Sequence, residues 1–251
     1  MQLHARTQVL VVGPRPAEDF LELHALFAIA AFAASSATTT LPHYVAAATG
    51  REEAMIIALP GAGESARVYC DVFSGGRYQR LAKQRGYILV CLSDYGLAGR
   101  TEADESRLLA LRDNLVERHP GIRKVFLTGY SIGARGALII GLRHPDKFDA
   151  VASIVPWMHF PEDRSQVLPE IKQRLRSYPH QVFLGLATID FFFSLSLRQQ
   201  ASLVAAGGGR VHRRRYFVDH WLAVVASAGD MFNFFDQARG SDSATLSAAG
   251  W

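Results

Sequence analysis

Short, almost wholly apolar runs alternate along this chain with longer stretches in which apolar residues recur every three or four positions. Ala54–Leu59 (AMIIAL), Tyr87–Leu92 (YILVCL), Lys124–Thr128, Ala150–Val155 and Gln181–Leu186 (QVFLGL) read as strands buried on both faces. His43–Ala48, with a turn at Gly50-Arg51, and Arg210–Val218 read as more polar strands. Between them the helical period covers Ser74–Gln84, closed by Gly86, and Asp104–Glu117, where Leu108, Leu111 and Leu115 share a face and His119-Pro120-Gly121 ends the helix. Further helices are expected over Ala134–Leu142, Glu162–Arg176, Leu197–Ala206 and Trp221–Gln237. This alternation predicts an α/β fold: a mostly parallel, twisted sheet with helices on both faces. Residues 43–238 make one domain, preceded by a prefix (1–42) and followed by a small, polar, loose tail (239–251).

Composition narrows the picture a little. At 251 residues, with 49% apolar and 20% charged residues, the chain can bury a core without staples. A net charge of +4 is too small and too scattered to argue for a nucleic-acid partner. The one dense basic run, Arg213-Arg214-Arg215, lies inside a strand-like segment and reads as the charged guard of a sheet edge, with a patch for an anionic surface as the alternative. Cys70 and Cys91 form no framework; they read first as buried free thiols, with one disulfide as the alternative, and do not decide the compartment. Ala25–Ala34 resembles the apolar part of a signal segment, but Glu18, Asp19 and Glu22 stand where positive charge belongs. A helix starting near Pro16 fits better, slightly favouring a cytoplasmic location over export, and ten apolar residues are too few to span a bilayer.

The chemistry concentrates at Val125–Gly136, VFLTGYSIGARG. A strand runs into Gly129-Tyr130-Ser131-Ile132-Gly133 and a helix follows, which is the nucleophile-elbow pattern. The turn pushes the serine hydroxyl out at the C-terminal edge of the sheet, and the flanking glycines let strand and helix approach without a Cβ clash. A serine nucleophile needs a base, and the base an orienting acid, each on a loop after a later strand. Asp190 follows QVFLGL and His220 follows the last strand, each far enough on to leave room for a βα unit. Ser131 would attack a carbonyl, His220 carry the proton, and Asp190 fix the imidazole tautomer. Asp219, Asp163 and Asp149 compete for the acid and His159 for the base. Asp219 should point away from its neighbour His220, Asp149 precedes its strand, and Asp163 and His159 follow the strand before Asp190's.

An oxyanion is expected between the N–H of Ile132 and one from Pro60-Gly61-Ala62-Gly63-Glu64, the turn after AMIIAL. Pro60 has no N–H, so the donor falls to Ala62 or Gly63. The same turn lacks the GxGxxG spacing and the Lys-Ser/Thr ending of a phosphate cradle.

With these residues in hand the chain resembles the α/β-hydrolase superfamily, and within it the esterases related to feruloyl esterases, esterase D and polyhydroxybutyrate depolymerases. The likeness runs from about His43 to Asp236, through IIALPGAGES, RLAKQRGYILVCLSDYG, KVFLTGYSIGARGALIIGLRHPDKFDAVASIVP, VFLGLATIDFFF and VDHWLAVV. Three positions depart from the pattern: Pro60 replaces a common histidine, and Ala134 and Ala187 replace frequent glycines. The resemblance implies a serine esterase working through an acyl-enzyme on a small-molecule ester. A peptidase or acyltransferase would use the same three side chains, and a binding protein could keep the scaffold without the chemistry. Too few residues separate Trp157 from His180 for a large lid. Trp157, Phe191 and Phe192 are the candidate apolar lining of a substrate pocket. No metal and no cofactor are expected, since no His/Cys/Asp cluster has ligand spacing. Arg135 reads as one half of an ion pair rather than as a substrate clamp.

Overall fold

Successive residues of a strand face opposite sides of its sheet, and Ala54–Leu59 divides accordingly. Met55, Ile57 and Leu59 enter one apolar cluster, while Ala54, Ile56 and Ala58 enter another across the sheet. Residues 41–46, 52–93, 102–190 and 195–240 are described by this computed structural model. They contain seven strands: β1 (His43–Ala46), β2 (Ala54–Leu59), β3 (Tyr87–Leu92), β4 (Lys124–Tyr130), β5 (Ala150–Ile154), β6 (Gln181–Ala187) and β7 (Val211–Tyr216). Their order is β1-β3-β2-β4-β5-β6-β7; β1 runs antiparallel to β3 and every other pairing is parallel. β2 to β6 are covered on both faces, which is why they read as continuous apolar runs.

Helices α2 (Glu102–Arg118), α3 (Ile132–Arg143), α4 (Leu168–Ser177) and α5 (Leu197–Gly207) supply the first cluster. Helices α1 (Arg77–Arg85) and α6 (Ala223–Gly240) supply the second. The expected stripe on α2 is the buried one, Leu108, Leu111 and Leu115. β7 is a sheet edge, and Arg213, Arg214 and Arg215 are exposed along it, as the edge-guard reading requires.

Three local expectations change. The helix expected from Ser74 begins at Arg77, because Gly75 and Gly76 take left-handed φ values of 58° and 66°; a separate wide turn, Val68–Phe73, precedes it. The helix expected from Glu162 opens as a second wide turn, Asp163–Val167, because Asp163 is turned inward to meet Arg135. The two cysteines are not free: Cys70, on the first wide turn, is disulfide-bonded to Cys91 of β3. Packing of that turn on the sheet brings their Cα atoms to 6.4 Å, within bridging range. The turn at Gly50-Arg51, residues 1–40 of the prefix and the tail from residue 241 lie outside the described residues. Among the described residues no helix is long and apolar enough to cross a membrane.

Candidate active site

β4 ends at Tyr130 and α3 starts at Ile132, so Ser131 is the whole of the junction. Its backbone takes φ 55° and ψ −118°, a conformation that few non-glycine residues adopt. The flanking glycines are a steric requirement. A Cβ on Gly129 would lie 2.2 Å from the Gly133 carbonyl oxygen, and one on Gly133 would lie 2.3 Å from that of Pro60. The junction at Ser131 thus presses directly on the loop expected to complete an oxyanion hole. The Ser131 N–H donates to Ile154 O at 3.0 Å, and its carbonyl accepts from Trp157 N–H at 3.0 Å. Ile132 is buried at the first position of α3, where backbone N–H groups have no helical acceptor.

Asp190 and His220 are brought together by the parallel register of β6 and β7. Ala187 pairs with Tyr216, and the two exit loops stay in step beyond that pair. Thr188 donates its N–H (2.9 Å) and its Oγ1 hydroxyl (2.8 Å) to Tyr216 O, and Ile189 N–H donates to Val218 O at 3.1 Å. Both side chains are buried, and His220 Nδ1 lies 2.5 Å from Asp190 Oδ2. With a carboxylate as acceptor, Nδ1 carries the proton and Nε2 is left as the basic nitrogen. The His220 ring packs 5.1 Å from the ring of Tyr130, the residue before Ser131.

The competitors are engaged elsewhere. Asp219 is exposed and caps its own turn by accepting Leu222 N–H at 2.8 Å. Asp149 accepts Val125 N–H and pairs with Lys124 at the opposite edge of the sheet. Asp163 is held by Arg135 Nε at 2.8 Å, with both side chains buried, so Arg135 is the ion-pair half that its sequence position suggested. His159 is exposed, its ring against Trp157.

In the turn after β2, Ala62 and Gly63 are exposed and Gly63 has φ 71°. Gly61 N–H is occupied: it donates to the carboxyl of Glu64 at 2.9 Å. Of the pocket residues, Trp157 has its backbone on Ser131 and its ring turned edge-on to Phe160, at 4.6 Å between centroids. Phe191 and Phe192 lie outside the described residues. A different aromatic group surrounds His220: Phe73 lies 5.7 Å and Tyr130 6.4 Å from the indole of Trp221, which is 55% exposed. Phe73 was invisible as a neighbour because the wide turn that carries it has no periodic signature. Glu64 had a signal, a lone charge three residues past a glycine in a sharp turn. Among the described residues no three His, Cys, Asp or Glu side chains are grouped to hold a metal ion.

The chain has the α/β-hydrolase fold, with an open sheet. It is similar to Est1E from Butyrivibrio proteoclasticus, with a TM-score of 0.64 at 10% identity over 79% of this chain and 94% of that one. A ferulic acid esterase superposes with a TM-score of 0.60 at 18% identity, over 74% of this chain and 86% of that one. An esterase from Pyrococcus furiosus gives 0.60 at 14%, covering 76% and 84%. At such identities the likeness is one of fold. No protein-family model matches the sequence, and no curated protein matches it.

Proposed function

We propose that this protein is a serine hydrolase that cleaves small-molecule carboxylic esters through an acyl-enzyme. The observation that carries the reading is the buried His220–Asp190 pair set against Tyr130, one residue from a serine held in the strained elbow conformation. Ser131 Oγ attacks the ester carbonyl carbon while its proton passes to His220 Nε2. The tetrahedral oxyanion is met by the N–H groups of Ile132 and of Ala62 or Gly63. The C–O bond to the alcohol then breaks, and the alcohol leaves with the proton from Nε2. Water repeats the sequence on the acyl-serine, releasing the acid and restoring Ser131. Asp190 keeps the tautomer and stabilises the imidazolium. The exposed indole of Trp221, with Phe73 behind it, offers an apolar wall to the acyl or aryl group. The esterases named above share the fold, which agrees with this reading.

The test is Ser131→Ala assayed on p-nitrophenyl acetate and butyrate, together with labelling by a fluorophosphonate probe. The variant is expected to lose both turnover and label. Undiminished turnover would refute the site, and a wild type that takes no label would favour a non-catalytic binding protein. A chromogenic peptide and an alcohol acceptor run in parallel separate esterase from peptidase and acyltransferase.

A further inference from the structure

One buried acid has no part in that mechanism. Glu64 is 7% exposed, sits directly after the two residues proposed as oxyanion donors, and receives Gly61 N–H on Oε2 at 2.9 Å. Its own N–H donates to Gly61 O at 3.3 Å, so the turn is closed from both sides by one residue. The fit is tight: a Cβ on Gly61 would lie 2.8 Å from Glu64 Oε1 and 3.0 Å from the Tyr130 ring. The carboxyl and the residue before the nucleophile therefore flank the same glycine. On the wide turn Tyr69 is fully buried with its ring stacked 6.1 Å from Tyr130, and it shares the electrostatic environment of Glu64. Glu64 after β2, Asp190 after β6, Asp219 after β7 and Tyr78 on α1 all oppose ionisation of Tyr130 at the end of β4, and His220 lies against the Tyr130 ring. Burial pushes the Glu64 carboxyl up to about 7, against the hydrogen bond from Gly61 that lowers it.

We propose that Glu64 is a positioning residue of the hydrolytic site: its neutral carboxyl fixes the Gly61 turn that presents the Ala62 and Gly63 N–H groups, and its ionisation switches turnover off. The inference rests on the ester-hydrolase reading above. Two effects act in the same direction. A carboxylate beside the oxyanion would repel the charge that develops in the transition state. It would also draw Gly61 N–H, and any neighbouring donor, toward itself. A neutral acid accepts Gly61 N–H through its carbonyl oxygen without either penalty. Glu64 then sets the upper limit of the pH profile.

The experiment compares wild type, Glu64→Gln and Glu64→Ala on p-nitrophenyl butyrate across pH 5 to 9, read at the isosbestic wavelength, with circular dichroism confirming each fold. Wild-type kcat should fall above about pH 7. Glu64→Gln, which keeps the acceptor and removes the titration, should lose that falling limb and exceed wild type roughly fivefold or more at the alkaline end. Glu64→Ala should lose about tenfold or more in kcat with little change in KM, and Glu64→Gln should recover most of that loss. A falling limb shared by wild type and Glu64→Gln, or an unchanged kcat in Glu64→Ala, overturns the proposal. Fluorophosphonate labelling of Ser131 at pH 6 reports separately on the reading beneath it: wild type that labels and turns over, with the Glu64 variants indistinguishable from it, sinks this inference alone.

Discussion

Arg135 Nη2 lies 2.7 Å from Asp163 Oδ1, and the two side chains are 1% and 0% exposed. The arginine stands on the first turn of α3, just after Ser131, and the aspartate opens the second wide turn, Asp163–Val167. The remaining Asp163 oxygen accepts Phe160 N–H at 2.9 Å, and the guanidinium lies over the Phe160 ring. One ion pair thus anchors both walls beside Ser131. Removing Asp163 leaves the buried guanidinium only the longer pair with Glu162, at 3.9 Å; breaking a buried pair costs about 3–5 kcal/mol. Asp163→Ala should lose that much in urea unfolding, whereas the double replacement Arg135→Met/Asp163→Leu should lose much less. An additive double variant would contradict this account.

Asp190 is predicted to behave in the opposite way. In the proposed mechanism its partner His220 is the base rather than a structural cation, so Asp190→Asn should keep the fold but present the wrong imidazole tautomer. The expected loss in kcat is about 10³–10⁴-fold with KM nearly unchanged. A thermal midpoint close to wild type, measured on the same preparation, distinguishes lost chemistry from lost structure. Activity within tenfold of wild type would remove Asp190 from its proposed role.

The strand–serine–helix junction at Ser131 was legible because a serine flanked by two glycines, with a strand before and a helix after, is a local pattern; the clashes at Gly129 and Gly133 are its steric cause. The strands were legible because sheet burial on both faces writes itself as apolar runs. His220 and Asp190 were legible through their place after β7 and β6, although the bonds that join those exits, from Thr188 and Ile189 to Tyr216 and Val218, are long-range and unsigned in the sequence. What escaped was set by tertiary packing. The two wide turns have no propensity signature, so the Phe73–Trp221 contact that depends on the first was not foreseen, and the Cys70–Cys91 bridge stood only as the less favoured alternative to free thiols.

That bridge links the wide turn that carries Phe73 to β3 across 21 residues of chain. Closing a loop of this length stabilises by about 3 kcal/mol in the chain-entropy model. Cys70→Ser/Cys91→Ser, or wild type held in dithiothreitol, should show that loss in the unfolding midpoint. Phe73 and Trp221 should loosen with it, raising KM for aryl esters more than kcat falls. Disulfides persist in oxidising compartments, so the bridge weighs against the cytoplasmic location that the acidic prefix favours. Thiol titration of the protein from its native compartment checks this: two reactive thiols per denatured chain would count against the bridge.

Glu64 gives stability a pH dependence of definite sign. Its carboxyl is raised from 4.5 to about 7 in the folded protein, chiefly by burial, against the hydrogen bond from Gly61 that lowers it. Below 4.5 the group is protonated whether the chain is folded or not, and it contributes no pH dependence. Between 4.5 and about 7 the unfolded chain ionises while the folded one resists, so stability falls as pH rises. Above about 7 both forms are ionised and the loss levels off. A fully sealed group with that shift would lose about 3 kcal/mol across the window; access of water to the turn reduces this to on the order of 1–2 kcal/mol. Glu64→Gln has nothing to titrate at this position. Its stability relative to wild type should therefore rise by that amount from pH 4.5 to 7 and stay constant beyond. Parallel stability curves for the two proteins over that window would show that the Glu64 carboxyl ionises as freely in the fold as in water.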